Sequence, residues 1–158
     1  MAVELQVKIN DKEVINSIKK YSSKLEQSIK QGLLQAGFQL VTIMRELTQK
    51  GIDFNRNPFA PYSEQYLKKL NKEGKSTKVD LFYSGQMLGA LTPDIRSVKP
   101  SGRNKVSVGF SRFDMIKRAL FNQVLREPNR KFFGFNSRTE TIIGKSFNQF
   151  IDKKLRGV

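Results

Sequence analysis

VINSIKKYSSKLEQSIKQGLLQAGFQLVTIMRELTQK, residues 14–50, decides the fold. Val14, Ile18, Tyr21, Leu25, Ile29, Leu33, Ala36, Leu40, Ile43 and Leu47 recur in steps of three or four, which holds one apolar stripe on a helix. Ser23 with Glu26 has the spacing of a capping box, so the pattern predicts a short helix and then a long one from about Lys24 to Lys50, stopped by Gly51. The long helix would span about 40 Å at 1.5 Å per residue and could back a whole sheet. Gly32 and Gly37 each cost up to about 1 kcal/mol relative to Ala in a helix interior, which implies a close neighbour on that side.

Working outward, Val3, Leu5, Val7 and Ile9 alternate with polar residues and predict a half-buried strand, broken at Asn10 and Asp11. Residues 51–62 hold two prolines and read as a loop, after which Ser63 caps a short helix carrying Tyr66, Leu67 and Leu70 and ended by Gly74. Residues 72–78 contain no apolar side chain and are the expected mobile segment. Ser84 is placed as the cap of a brief helix through Met87, Leu88 and Leu91, which Pro93 ends.

Two strands are expected near Asp94–Lys99 and Lys105–Phe110, with the turn at Pro100–Asn104. Asp114 is placed as the cap of a helix with Met115, Ile116, Ala119 and Leu120, and Lys131–Phe135 (KFFGF) as a short aromatic strand. Ser137 with Glu140 repeats the capping-box spacing ahead of a last helix bearing Ile143, Phe147, Phe150 and Leu155. The whole reads as one α+β domain over 1–158, with the long N-terminal and the C-terminal helix on a small, mainly antiparallel sheet. Its parts are 1–50 (strand and helices), 51–78 (loop, short helix, mobile segment) and 79–158 (sheet and last helix).

Composition narrows function. The 158 residues include no Cys and no His, which removes thiolate and histidine chemistry from catalysis and metal binding. No short stretch gathers the 14 carboxylates as a two-metal site or glycosidase pair requires, so the expectation is a non-enzyme without cofactor or metal. The carboxylate-enzyme alternative would rest on Asp53, Asp80, Asp94 or Asp114. No segment matches a membrane span, and Met1–Leu5 lack the plan of a signal peptide, which predicts a soluble intracellular product with no membrane partner. Twenty-nine Lys and Arg against 14 Asp and Glu give a net charge of +15, most of it after residue 98, and such a field attracts polyanions.

Several segments then resemble, in order, the tailed-phage virion morphogenesis family of head-tail joining, or tail-completion, neck proteins. Asn57–Leu70 (NPFAPYS onward) resembles its PF-x-P-L-S loop and following basic helix, and Val79–Leu91 (VDLFYSGQMLGAL) is similar to its L-x-x-T-G-x-L-x-x-S-L element. Val106–Phe110 (VSVGF) looks like its V-x-I-G-T strand, and Arg130–Phe135 (RKFFGF) resembles P-R-x-F-L-G. Ser84 stands where the family usually has Thr, and Ala119–Gln123 lacks the His and Gly of its Y-A-x-x-H-x-x-G segment. The resemblance implies a non-catalytic virion protein, assembled in the host cytoplasm into a hexameric ring that joins the head connector (portal) to the tail, with DNA in transit as a further partner.

On that reading, aromatic residues near the mobile segment carry the subunit contact: Phe54, Phe59, Tyr62, Tyr66 and Phe82. The basic pole, with Arg126, Arg130, Lys131, Lys145, Lys153 and Lys154, faces DNA or an acidic neighbour. The alternative function is a basic nucleic-acid-binding module outside a virion. The Phe132, Phe133 and Phe135 cluster could stack bases, but the ordinary reading of such a segment is core.

Overall fold

The computed structural model describes residues 11–82 and 84–156, and the strand expected at Val3–Ile9 lies outside them. The chain forms helix α1 (Asp11–Gln49), α2 (Glu64–Lys72), α3 (Gln86–Gly89), strands β1 (Val98–Gly102) and β2 (Lys105–Val108), α4 (Phe113–Leu120) and α5 (Ser137–Leu155). A π-helical turn, Phe121–Leu125, continues α4. This is the expected α+β architecture, with a sheet reduced among the described residues to one antiparallel hairpin in which Val98 faces Val108. No described helix is long and apolar enough to cross a membrane.

α1 is one continuous helix of 39 residues, so the break expected at Ser22 and Ser23 does not occur. A serine offers the backbone only a weak alternative to the helix, whereas propagation adds one hydrogen bond per residue once a turn exists. Glu26 is drawn away from Ser23, because its carboxylate pairs with the Arg103 guanidinium in the hairpin turn. The C-terminus behaves as expected: Gly51 takes φ +79° and Gly51 N–H donates to Thr48 O at 2.9 Å.

Both internal glycines are contact points. A Cβ on Gly37 would lie 2.4 Å from Val98 Cγ1, and one on Gly32 would lie 2.8 Å from the Phe147 ring. α1 therefore lies against the hairpin at Gly37 and against α5 at Gly32. α5 runs back along α1, since Gly134 just before it meets Met44 while Phe147 and Phe150 further on meet Gly32. It packs chiefly on α1, and its Ile143, Gly144 and Phe147 face a cavity shared with Val106 and Val108 of β2.

Two apolar clusters form the core. Val41, Met44, Leu91 and Val98 make one; Phe59, Met87, Leu88, Ala90, Met115, Ala119 and Phe132 make the other. Phe110 and Phe133 belong to the edges of both, their ring centroids 5.5 Å apart, and so join them. Arg45 adds a polar tie, its Nη1 donating to Leu88 O at 2.7 Å and Leu91 O at 2.8 Å at the end of α3. Leu88 O also accepts from Leu91 N at 3.2 Å.

Lys131–Phe135 is not a strand. Its backbone groups find partners singly: Lys131 O accepts from Phe54 N, Phe133 N and O bond the Gln123 amide at 3.0 and 2.7 Å, and Gly134 N donates to Met44 Sδ. A segment whose donors are satisfied by side chains has no ladder to join. Phe132 is nonetheless fully buried and Phe133 half-buried, as the core reading expects, whereas Phe135 is exposed.

Three caps differ from expectation, and each has a local cause. α3 starts at Gly85, left-handed at φ +70°, against which the Phe82 ring lies, and Ser84 makes no cap bond. Asp114 falls inside the first turn of α4 and pairs with Arg112 at 2.6 Å. At α5 the Asn136 side chain accepts from Thr139 N–H at 3.0 Å, so the cap lies one residue before Ser137. Ser63 does cap α2, accepting from Tyr66 N–H at 3.4 Å, and Gly74 follows with φ +63°.

Candidate interaction surfaces

The loop between α1 and α2 is tightly folded: Asp53 N donates to Asn57 O, Asn57 N to Asp53 Oδ1, and Phe59 N to Gly51 O, all at 2.7–2.8 Å. The five aromatic residues expected at a subunit contact, Phe54, Phe59 and Tyr62 in this loop, Tyr66 on α2 and Phe82 after it, have different surroundings. Phe59 is 8 % exposed and belongs to the core, so it is withdrawn as an interface residue; the loop closure turns its ring inward. Phe54 is half-buried against Gly134, where a Cβ would meet its ring at 2.9 Å. Phe82 is exposed. Tyr62, just before the Ser63 cap, and Tyr66, in the first turn of α2, meet edge to face with centroids 4.9 Å apart.

Those two tyrosines form a wall of a cavity of about 420 Å³, whose lining also includes Lys117, Arg118, Phe121, Asn122 and Arg126. The π-helical turn explains the convergence. Arg126 N donates to Phe121 O, five residues back, at 2.8 Å, and this wider turn carries α4 round so that Phe121 and Arg126 join Lys117 and Arg118. Asn122 fixes the turn from both ends, its Nδ2 donating to Arg118 O and its carbonyl accepting from Arg130 N at 2.7 Å.

Arg130 is only 1 % exposed, which withdraws it as a contact to DNA or a partner. Its Nη2 donates to Ala60 O at 3.0 Å and Pro61 O at 3.2 Å, and its Cζ lies 4.9 Å from the Tyr62 ring centroid. Nε and Nη1 have no hydrogen-bond partner. Burial, with the charge of Arg126 nearby, pushes the Arg130 pKa below its ordinary value. Burial likewise raises the Tyr62 phenol.

The remaining basic residues do not join this group. Lys131 is exposed, and Lys145, Lys153 and Lys154 lie exposed on α5. Lys145 and Lys154 are about two and a half helical turns apart and so face opposite sides, which gives α5 no single basic stripe. Lys154 lies over the Phe150 ring at 5.5 Å. Of the six basic positions, only Arg126 lines the cavity.

The four aspartates of the enzyme alternative each bond within their own turn. Asp53 binds Asn57, Asp80 accepts from Phe82 N, Asp94 holds Arg96 and Thr92, and Asp114 holds Arg112. Among the described residues no group of three or more acidic side chains converges.

Two surfaces were not foreseen as such. Residues 12–23 of α1 are all exposed, including Val14, Ile15, Ile18 (63 %) and Tyr21. On α4 and its π-helical continuation, Phe113 (74 %), Ile116, Leu120, Phe121, Val124 and Leu125 are exposed, while Met115 and Ala119 face the core. The sequence held a signal for both: the first stripe outruns the 19-residue helix that covers it, and the second run has more apolar residues than one buried face accommodates. Comparison with protein-family models, curated proteins and solved structures gives no match.

Proposed function

We propose that the chain is a structural subunit of a tailed-phage virion, a neck or tail-completion protein that joins head connector to tail as part of a homo-oligomeric ring. The observation that carries this reading is the presence of two unlike apolar surfaces on one basic chain: the α1 ridge of Val14, Ile18 and Tyr21, and the α4 face of Phe113, Leu120 and Val124. Contiguous exposed apolar residues mark interaction sites, and two different surfaces on one subunit are what a head-to-tail contact requires. Such a contact closes into a ring when its rotation divides a full turn.

The order of the segments that resemble the family supports the virion context, and the fold accommodates it: the NPFAPYS loop leads into α2, and RKFFGF leads into α5. The subunit contact is assigned to the two exposed surfaces, and Phe82 is a further exposed aromatic. The charge of +15 suits a lumen through which DNA passes or an acidic neighbour.

Electron micrographs of the assembled protein test the reading, with closed rings as the expected particle. The genes beside its own should encode a portal, a head-completion protein and a tail tube. Open filaments or no particle, together with a neighbourhood of metabolic genes, would remove it.

A further inference from the structure

The cavity between α2 and α4 combines two chemistries, cationic and aromatic. Three cations, Lys117, Arg118 and Arg126, line one space with three aromatic rings, Tyr62, Tyr66 and Phe121. No ion pair links these cations, or the buried Arg130, to a carboxylate among the described residues. Arg118 reaches only the neutral Gln86 Oε1, at 3.3 Å. Arg126 and Arg130 both lie over the Tyr62 ring, at 6.0 and 4.9 Å. The wall itself thus carries positive charge, and a buried guanidinium without a counter-ion is costly.

An anion entering the cavity meets Lys117, Arg118 and Arg126 directly and lies against the Tyr62 ring on which Arg130 also sits. A carboxylate would answer the cations and leave the rings unused, whereas a nucleotide presents a π face and a phosphate together. The volume of about 420 Å³ lies in the range of small-ligand sites. We propose that this cavity binds one nucleotide unit of single-stranded nucleic acid, the base against Phe121 and the tyrosines and the phosphate among Lys117, Arg118 and Arg126. The site adjoins the α4 face of the proposed ring contact and shares Phe121 with it, so the oligomer mass of each variant is measured alongside: binding lost at unchanged mass reports on the cavity, and a changed mass reports on the ring.

Fluorescence anisotropy of labelled oligothymidylate with the full chain tests it, over a series of salt concentrations. With one phosphate held among the three cations, log affinity should fall against log salt with a slope of about −0.7, and Arg118→Gln with Arg126→Gln should weaken binding and bring the slope toward zero, at about 0.7 per phosphate. Phe121→Ala should weaken binding about tenfold or more and leave the slope unchanged, since stacking releases no counterion. Phe121→Leu provides the same test if the Ala variant unfolds. Thymidine monophosphate should compete better than inorganic phosphate, and polyglutamate worse than oligothymidylate.

Three results would overturn the proposal. Lys153→Gln with Lys154→Gln lowering the slope as much as the cavity pair would mean diffuse surface attraction. Unchanged affinity in both Phe121 variants would remove the base contact. Polyglutamate competing as well as oligothymidylate would assign the cavity to an acidic protein.

Discussion

The two ends of α1 carry the same apolar period and meet opposite surroundings. Toward the C-terminus, Val41, Met44 and Leu47 are buried against the hairpin and the segments around it, and Gly37 lets Val98 within contact of the backbone. Toward the N-terminus, Val14, Ile18 and Tyr21, on the stripe that ends at Leu47, are exposed. A period of three and four states which side of a helix avoids water; the length of the neighbouring elements states how far the cover reaches. α5 has 19 residues and α1 has 39, so part of the stripe runs out past its cover. That uncovered part is what the proposed assembly uses.

The comparison breaks most readily under truncation. Met44→Ala, at a site 2 % exposed, should cost about 2–5 kcal/mol by urea unfolding, and Ile18→Ala no more than about 0.5 kcal/mol when measured dilute enough to be monomeric. Equal losses would mean that the ridge is covered within the subunit. The glycines sharpen the same contrast. Gly37→Ala drives a methyl into Val98, itself fully buried, and should cost about 1–3 kcal/mol. Gly144→Ala in α5 meets nothing within 4 Å and should stabilise by about 0.5–1 kcal/mol. Thermal unfolding of the two variants should move in opposite directions; movement in the same direction would place the close helix contact elsewhere.

The smallest effect concerns the turn that follows α3. The Arg96 guanidinium and backbone N–H, with the Thr92 hydroxyl, hold the Asp94 carboxyl well below its ordinary pKa of 3.8. A depressed folded pKa means that the charged form stabilises the fold: the contribution is complete above 3.8 and is lost as pH falls through the lower folded value. Asp94→Asn should therefore lower the melting temperature slightly near neutral pH, and the difference from the native chain should shrink in acid. A difference that grows in acid would contradict the assignment.

Element identity was legible where one local cause dominates. The 14–50 stripe, the Ser63 cap, the stops at Gly51 and Gly74 and the hairpin around Gly102 all follow from residues within a turn of one another. The close packing at Gly32 and Gly37 was legible too, because a glycine in a helix needs a reason. What sequence could not supply was competition at a distance. Arg103 takes Glu26 from Ser23, Gln123 takes the backbone of Phe133 from a strand, and Asn136 takes the cap from Ser137.

The surfaces followed the same rule. Tyr62, Tyr66 and Arg126 were named from sequence and are brought together. Lys117, Arg118 and Phe121 were missed as a site because only the π-helical turn after α4 carries them there. Phe59 and Arg130 were named and are buried, since neither an aromatic ring nor a long cation reveals in sequence which way its loop closes.

The most direct measurement is the mass of the native protein in solution over a range of concentrations, beside a chain carrying Ile18→Glu and Tyr21→Glu. The account predicts a closed oligomer, at a fixed multiple of the chain mass, for the native protein, and a monomer with unchanged thermal unfolding for the substituted one. A native protein that stays monomeric at every concentration, or a substituted one that assembles equally well, would contradict it.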